Sequence, residues 1–229
     1  IQPVDGAFSI MLDPQCIYSL TTTTGQQKGS YAIPEDKPFP FPYSEDYEGR
    51  EIGDLPKYHS DQKGSFEIAE NPKGGQCLKQ ICPEEGYEWM KIYRRSYIKP
   101  STMIGDVNWK DYTCKVDVFI EAGDVELGGC IKGPFLKGCR LMLTTTGEWS
   151  LMFNQQTLAE GRLESFNADE WHELKLKFRG DKVEAFIDGA SLAKKKHKRM
   201  SGCVVLASSY DQNLFDDLEI YTDETRIEK

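Results

Sequence analysis

Apolar and polar residues alternate along several short segments of the chain, and a period of two residues predicts β-strands. Residues 112–120 show it most clearly, because every second residue is apolar while Lys115 and Asp117 belong to the opposite face. Residues 171–178 alternate in the same way, and an Arg-Gly-Asp-Lys turn leads from them into a second amphipathic strand, 183–187. No segment of useful length shows the 3.6-residue period of an amphipathic helix.

Further strand signals recur along the chain, with turn residues between them. They cover residues 8–20, as two strands around Asp13-Pro14, and residues 65–69, 76–82, 88–97, 141–143, 149–153, 203–207 and 215–221. Many short strands joined by turns predict an all-β fold in which two sheets pack face to face as a sandwich.

A proline-rich segment, residues 34–42, contains four prolines in nine positions. Proline cannot donate to a β-ladder, so this segment predicts an extended linker and a domain boundary. Residues 1–33 are too few to bury a core of their own. We expect them to belong to a sheet whose other strands lie elsewhere, and we expect residues 43–229 to form the main domain.

Composition excludes some classes of protein. The 229 residues suffice for one domain with a core and an appendage. The 28 Lys and Arg residues against 37 Asp and Glu give a net charge of −9. This balance argues against a general nucleic-acid binder, which carries a basic footprint. No apolar run approaches the ~20 residues of a transmembrane segment, and the first residues show no signal peptide.

One basic run, Lys194 to Arg199, departs from the acidic balance. Such a run is typical of nuclear-targeting or heparin-binding segments, and beside an anionic membrane each charge contributes ~1 kcal/mol. A solvated hairpin tip is the simpler interpretation, and the alternatives stay open.

The chain has seven cysteines but no Cys-x-x-Cys pair, so the sequence does not predict a structural zinc site. An odd count leaves at least one thiol free or paired outside the chain. Cys130 and Cys139 flank the turn at 133–136 almost symmetrically and would face each other across a hairpin. They form either a disulfide bridge or a pair of small buried residues, and the redox compartment stays open.

The closing segment of the chain places a carboxylate at the head of an apolar strand face. In an extended chain Asp216, Leu218 and Ile220 share one face. A carboxylate there needs a hydrogen-bond donor, a cation or a metal as its partner. One interpretation is that Asp216 reaches Asp46 and Glu48 and that a calcium ion joins them. The other is an aspartate that accepts hydrogen bonds from backbone N–H groups.

The hairpin 171–189 is typical of jelly-roll lectin-like domains. Together with it, residues 19–31, 104–109 and 215–217 resemble the galactocerebrosidases, the lysosomal β-galactosidases that cleave galactosylceramide. The resemblance covers almost the whole chain but only the C-terminal third of the family, which runs from a (β/α)₈ barrel through a small β-sandwich to a lectin-like jelly roll. It implies that residues 1–33 close the small sandwich and that the rest, after the linker, is a lectin domain resembling concanavalin A and laminin-G domains.

The resemblance also implies that the chain contains no catalytic residues, because the acid/base and nucleophile glutamates of the family lie in the barrel. Adjacent acids such as Glu84 and Glu85, or Asp216 and Asp217, point to opposite faces of a strand. A retaining glycosidase needs two carboxyl groups ~5 Å apart across a sugar. We therefore do not expect hydrolysis by this chain alone.

A calcium site is implied by the same resemblance. The lectin domain of the family holds calcium through an Asp-x-Asn step, a backbone carbonyl and an Asp of the last strand. These roles fall on Asp46 and Glu48, on the carbonyl of Gln76, and on Asp216. All four supply oxygen, which suits a hard cation such as calcium. Glu48 replaces the Asn of the family and adds a negative charge on a longer arm.

For sugar contact the resemblance implies Trp89, because the family inserts a lectin-domain Trp beside the galactose. An indole face offers the C–H surface of a galactose a flat apolar partner. A core Trp under a loop is the alternative.

We therefore expect a non-catalytic, calcium-stabilised, lectin-like module that helps a galactocerebrosidase-type glycosidase to bind a galactosyl lipid or other galactosides. The implied partners are the catalytic barrel of the same enzyme and a saposin lipid carrier. The implied location is lysosomal or secreted, although the chain contains no Asn-x-Ser/Thr sequon. A free-standing galactose-binding lectin without a barrel is the alternative function.

Overall fold

The computed structural model describes residues 1–23, 25, 32, 35–85, 99–133, 137–198 and 201–225. Within these residues every regular element is a β-strand, which confirms the all-β prediction. The strands are β1 (Tyr43–Glu45), β2 (His59–Lys63), β3 (Phe66–Glu70), β4 (Gln76–Gln80), β5 (Ser101–Ile104), β6 (Thr113–Phe119), β7 (Asp124–Lys132), β8 (Lys137–Thr144), β9 (Glu148–Phe153), β10 (Gln156–Arg162), β11 (His172–Arg179), β12 (Lys182–Ile187), β13 (Ala190–Lys196), β14 (Cys203–Ser208) and β15 (Leu214–Tyr221). The same part of the chain holds no helix long and apolar enough to cross a membrane.

The strands form two antiparallel sheets. The eight-stranded sheet has the order β13-β12-β11-β6-β15-β4-β3, and β1 pairs additionally with β15. The seven-stranded sheet has the order β10-β9-β8-β7-β14-β5-β2. The closing strand β15 therefore lies inside the first sheet, between β6 and β4, and pairs with strands from much earlier in the sequence.

The two sheets pack face to face over one apolar core, as the alternation predicts. In β11, Leu174, Leu176 and Phe178 are buried, whereas Lys175 and Lys177 lie on the outer face. The seven-stranded sheet contributes to the same cluster Val125, Leu127, Leu141, Leu143, Leu151, Val204 and Leu206. Burying one such side chain stabilises the folded state by about 2 kcal/mol, so the inner faces hold the sandwich together.

The chain divides into two compact units, residues 1–37 and 38–229. The division falls inside the proline-rich segment 34–42. Within the second unit, Phe39 packs against the core cluster, so the end of this segment is anchored to its own domain. The assignment of residues 1–33 to a neighbouring sandwich stays a prediction.

The prediction of two strands within residues 8–20 is wrong. These residues form no strand and are almost all exposed, and the described part of the first unit has only an isolated bridge between Val4 and Ala7. A β-strand needs partner strands and a buried face to be stable, and this segment has neither. The predicted strand 88–97 lies outside the described residues.

The predicted alternative of a Cys130–Cys139 disulfide does not occur. All seven cysteines are described, and none forms a disulfide. A register shift between Gly129 and Lys132 takes Cys130 out of line, so Cys139 lies opposite Gly129 instead. Both thiols are buried, and burial raises the pKa of each to about 12, so they act as small core residues.

Candidate calcium and carbohydrate site

A β-bulge in the closing strand shapes the predicted site. The register between β15 and β6 shifts between Asp216 and Glu219, and Asp217 within the shift has a φ of 46°. The prediction that Asp216 shares a face with Leu218 and Ile220 is therefore wrong. The extra residue inverts the alternation, so Leu218 and Ile220 enter the core while Asp216 stays at the outer surface, partly exposed.

The bulge also lets two strands share one edge of β15. Before it, Phe215 lies opposite Leu78 of β4, and after it, Leu218 lies opposite Glu45 of β1. The segment that follows β1 and the residue that begins β4 therefore meet beside Asp216. This arrangement brings the segments that carry the predicted metal ligands to one edge of β15, although they lie far apart in sequence.

The segment after β1 carries two exposed carboxylates, one on each side of a buried tyrosine in the sequence. Tyr47 is fully buried with a φ of 57°, and the flanking Asp46 and Glu48 are exposed. The Glu48 carboxylate Oε1 accepts the backbone N–H of Gln76 at 2.8 Å, and Asp46 Oδ1 accepts the backbone N–H of Glu48 at 3.2 Å. A Cβ on Gly75 would approach Glu48 Oε1 to 2.2 Å, so a side chain at this position, where φ is 85°, would be strained and would displace the Glu48 carboxylate.

Asp216 is bonded by two N–H donors. Its Oδ1 accepts the backbone N–H of Asp217 at 2.8 Å, and its Oδ2 accepts the side-chain amide of Asn71 at 3.0 Å. Burial is the main cause that raises its pKa to about 6, the two hydrogen bonds lower it, and the charges of Asp217 and Asp117 raise it further. The second interpretation of Asp216, an aspartate that accepts backbone N–H groups, describes one of these two bonds, and the other donor is the side chain of Asn71. No local pattern in the sequence indicated that Asn71 would bond to Asp216.

Of the four predicted ligands, Asp46 and Glu48 are joined to each other and to Gln76 by hydrogen bonds, whereas Asp216 is bonded to Asn71 and Asp217. Within the described residues, no group of three or more His, Cys, Asp or Glu side chains is arranged to hold a metal ion. The donor set of Asp46, Glu48, Asp216 and the Gln76 carbonyl nevertheless fits a hard cation, since it supplies only oxygen. The nearby cation Arg50 is paired with Glu45 at 2.7 Å. Calcium binding stays a prediction.

Residues 104–109, which contributed to the family resemblance, have a structural role. Asp106 Oδ1 accepts the backbone N–H of Asn108 at 2.7 Å and so forms a tight turn. The turn places Trp109 over Gly105, where a Cβ would lie 2.3 Å from the indole ring. Trp109 also packs against Phe39, with ring centroids 5.2 Å apart. This motif therefore contributes to packing at the edge of the core.

The predicted sugar contact, Trp89, lies outside the described residues, so its placement beside a ligand stays a prediction.

Of the predicted carboxylate pairs, Glu85 forms an ion pair with Lys63 at 2.5 Å. Asp216 and Asp217 are both partly exposed, the charge of Asp217 raises the pKa of Asp216, and Asp216 lies directly opposite Asp117 of β6.

Comparison with protein families gives one match over most of the chain. The model described as "Galactocerebrosidase, C-terminal lectin domain" matches residues 61–223. The galactocerebrosidase of Homo sapiens is 29% identical over 207 residues, which cover 82% of this chain and 29% of that protein. The galactocerebrosidase of Danio rerio is 27% identical over 243 residues, which cover 96% and 36%. The chain thus spans about a third of the length of these curated relatives.

Solved structures match the sandwich with low sequence identity. The carbohydrate-binding module CBM66 from Bacillus subtilis superposes with a TM-score of 0.55 at 12% identity, over 72% of this chain and 96% of that one. A protein of unknown function with a galectin-like fold from Bacillus subtilis gives a TM-score of 0.54 at 10% identity, over 79% and 94%. At this identity the likeness shows the fold alone, and that fold is the predicted lectin-like jelly roll.

Proposed function

Because the chain belongs to the family of galactocerebrosidase C-terminal lectin domains, we propose that it is a calcium-stabilised module that contributes to binding a galactosyl lipid or another galactoside. The family and the fold support a carbohydrate-binding module. The observation that carries the proposal is the family match across both sheets, from β2 to the end of β15. Bond cleavage is assigned to the catalytic domain of the same enzyme, because the relatives are about three times as long as the part matched here.

The calcium part of the proposal is supported by the shared edge of β15. Asp46 and Glu48 extend from β1, Gln76 begins β4, and Asp216 lies in the bulge between their pairing positions. These residues would hold the ion, which would supply positive charge among three carboxylates. The ligands would exchange amide hydrogen bonds for the ion, and the segment after β1 would be fixed to the closing strand.

The sugar part of the proposal rests on Trp89, whose indole would stack on the apolar face of a galactose. The proposed partner protein is the catalytic barrel. A saposin lipid carrier is not included, because nothing among the described residues identifies a surface for one. The proposal adopts the lysosomal or secreted location that the family resemblance implies.

A glycan array, read with calcium and again with chelator, tests the function. Wild-type protein is expected to bind galactose-terminated glycans, and Trp89→Ala is expected to lose that binding with an unchanged melting temperature. Tyr58→Ala, at an exposed aromatic residue far from the predicted sugar contact in sequence, is the matched control. Absence of binding to every galactose-terminated glycan by folded wild-type protein would overturn the proposal, and equal loss in both variants would remove the role of Trp89.

A further inference from the structure

One edge of the eight-stranded sheet, formed by β11, β12 and β13, is basic although the chain is acidic. Residues 172–198 contain eight of the 28 Lys and Arg residues but only four of the 37 Asp and Glu residues, in a chain with a net charge of −9. We call these eight Lys and Arg side chains the basic face. The register sets most of them in rows on the outer surface: Lys177, Glu184 and Lys194, then Arg179, Lys182 and Lys196.

Part of the basic face is neutralised within the chain. The Asp223 carboxylate accepts Arg179 at 2.6 Å and Lys177 at 3.2 Å, and Glu184 pairs with Lys194 at 3.2 Å. The hydrogen bond from Arg179 is the main cause that lowers the pKa of Asp223, with a further contribution from Lys177. Asp223 and Glu184 are therefore each matched by basic partners of this face.

Four lysines of the basic face have no acidic partner within the described residues. Lys182, Lys195, Lys196 and Lys198 form no ion pair there, and all four are exposed. Lys182 lies directly opposite Lys196, and like charges in directly opposed positions destabilise a β-ladder. The cluster therefore lowers the stability of this edge unless an external anion approaches it.

The geometry favours an extended anion over a small one. Lys182 and Lys196 project from the outer surface, whereas Lys195 lies opposite Val183, whose side chain enters the core, and so points to the other side of the sheet. The uncompensated ammonium groups follow the rim of the sandwich and do not converge on one point. A single phosphate or sulfate needs converging donors, whereas a charged plane contacts a rim.

We propose that the basic face docks this domain onto an anionic lipid bilayer. The inference goes beyond sugar binding, and it rests on the proposed function only in choosing a bilayer over a soluble polyanion, because a galactosyl lipid resides in a bilayer. Long lysine stems reach the headgroup layer while the strands stay above it. Docking would hold the domain beside its lipid ligand. The lysines would contact only the anionic headgroups and would not recognise the sugar.

Lysines on an edge strand have a simpler role as well, since they prevent edge-to-edge pairing of sheets. That role requires no ligand and predicts no attraction to vesicles. It also depends on charge of either sign, so charge reversal would preserve it. Charge reversal therefore separates the two roles.

The experiment measures binding of the folded chain to sedimented vesicles of phosphatidylcholine with and without phosphatidylglycerol. The test variant is Lys182→Glu/Lys196→Glu. The matched control is Lys132→Glu/Lys137→Glu, because these two exposed lysines are also directly opposed across strands, in the other sheet, and their reversal changes the net charge equally. Losing one lysine weakens attraction about fivefold, so the test variant should bind phosphatidylglycerol vesicles at least about 25-fold more weakly. The control should bind like wild type, and raised salt should release wild type.

Three results would overturn the inference: no binding of wild type to phosphatidylglycerol vesicles, equal loss in both variants, or binding to heparin without binding to vesicles. Lys182→Gln/Lys196→Gln gives the same test with a milder change if charge reversal prevents folding. Phosphatidylcholine vesicles that carry only galactosylceramide test the proposed function separately. If the protein fails to bind only the galactosylceramide vesicles, the proposed sugar binding is wrong and the inference about the basic face stands. If it fails to bind only the phosphatidylglycerol vesicles, the inference is wrong and the proposed sugar binding stands.

Discussion

Asp216 of β15 and Asp117 of β6 lie directly opposite each other in the eight-stranded sheet, and the pKa of each carboxyl group is raised to about 6. Burial is the main cause in both. Lys115 lowers the pKa of Asp117, and the charges of Asp217 and Glu173 raise it further. β15 and β6 thus each contribute one carboxyl group that is harder to ionise in the folded protein, and Asp216 is the one that belongs to the proposed calcium ligands.

Replacing Asp117 with Asn should stabilise the domain near neutral pH. A carboxyl whose pKa is higher in the folded state than in the unfolded state binds protons preferentially when folded. Stability therefore falls as pH rises from about 4 to about 6, and the full penalty is present above that window. Removing the charge should raise the free energy of unfolding by about 1 kcal/mol near pH 7, after solvent screening is considered.

Urea unfolding of wild type and Asp117→Asn, measured from pH about 5 to about 7, checks this prediction. The difference between the two proteins should grow with pH. Asp181→Asn, in the exposed β11–β12 turn, is the control and should follow wild type. A difference that shrinks as pH rises would contradict the assigned direction of the pKa shift.

Calcium should raise the melting temperature through Asp46. Binding to the folded state alone stabilises it by ~2.7 kcal/mol at a hundredfold excess over the dissociation constant. Asp46→Ala should abolish this response, because Asp46 is exposed and supplies one predicted ligand. Glu51→Ala, a nearby exposed acid outside the predicted ligand set, should keep it. The measurement is the melting temperature of each protein with calcium and with chelator. Identical wild-type curves under the two conditions would contradict the proposed calcium binding.

The sequence predicted the strands whose two faces differ in environment. In β6, β11 and β12, apolar residues face the core and charged residues face the solvent. The alternation could therefore be recognised in the sequence. The sequence analysis missed β13 because its second half is three consecutive lysines, which show no alternation of apolar and polar residues. Pairing with β12 at the sheet edge determines that strand, and pairing is not local information.

The candidate calcium site stays a prediction, and the structure adds the arrangement of the segments that carry it. β1, which precedes Asp46 and Glu48, and β4, which begins at Gln76, pair with the same edge of β15, the strand of Asp216. The bulge at Asp217 depends on a positive φ in a residue other than glycine, which no local pattern indicates. Asn71 bonds Asp216 across 145 positions in sequence, so only the folded sheet reveals the contact.

Gly105→Ala should destabilise the domain by about 3 kcal/mol, because the new Cβ would overlap Trp109 and a φ of 108° disfavours a side chain. Gly189→Ala is the control. Gly189 has a φ of 75°, and its Cβ would meet no atom within 4 Å, so only the backbone strain of about 1 kcal/mol remains. Chemical denaturation measures the free energy of unfolding of both variants. Equal decreases would show that the Trp109 ring moves aside without destabilising the domain.

Tyr112→Phe should cost about 2 kcal/mol although it removes a single oxygen atom. The fully buried hydroxyl accepts the backbone N–H of Cys130 at 2.6 Å and donates to the carbonyl of Gly202 at 3.1 Å. Without it, an N–H and a carbonyl inside the sandwich lose their partner, and each buried unsatisfied group is costly. Tyr58→Phe, at an exposed tyrosine, should change the free energy of unfolding by less than about 0.5 kcal/mol. Equal stability of Tyr112→Phe and wild type in urea would mean that β7 and the chain before β14 do not depend on this bond.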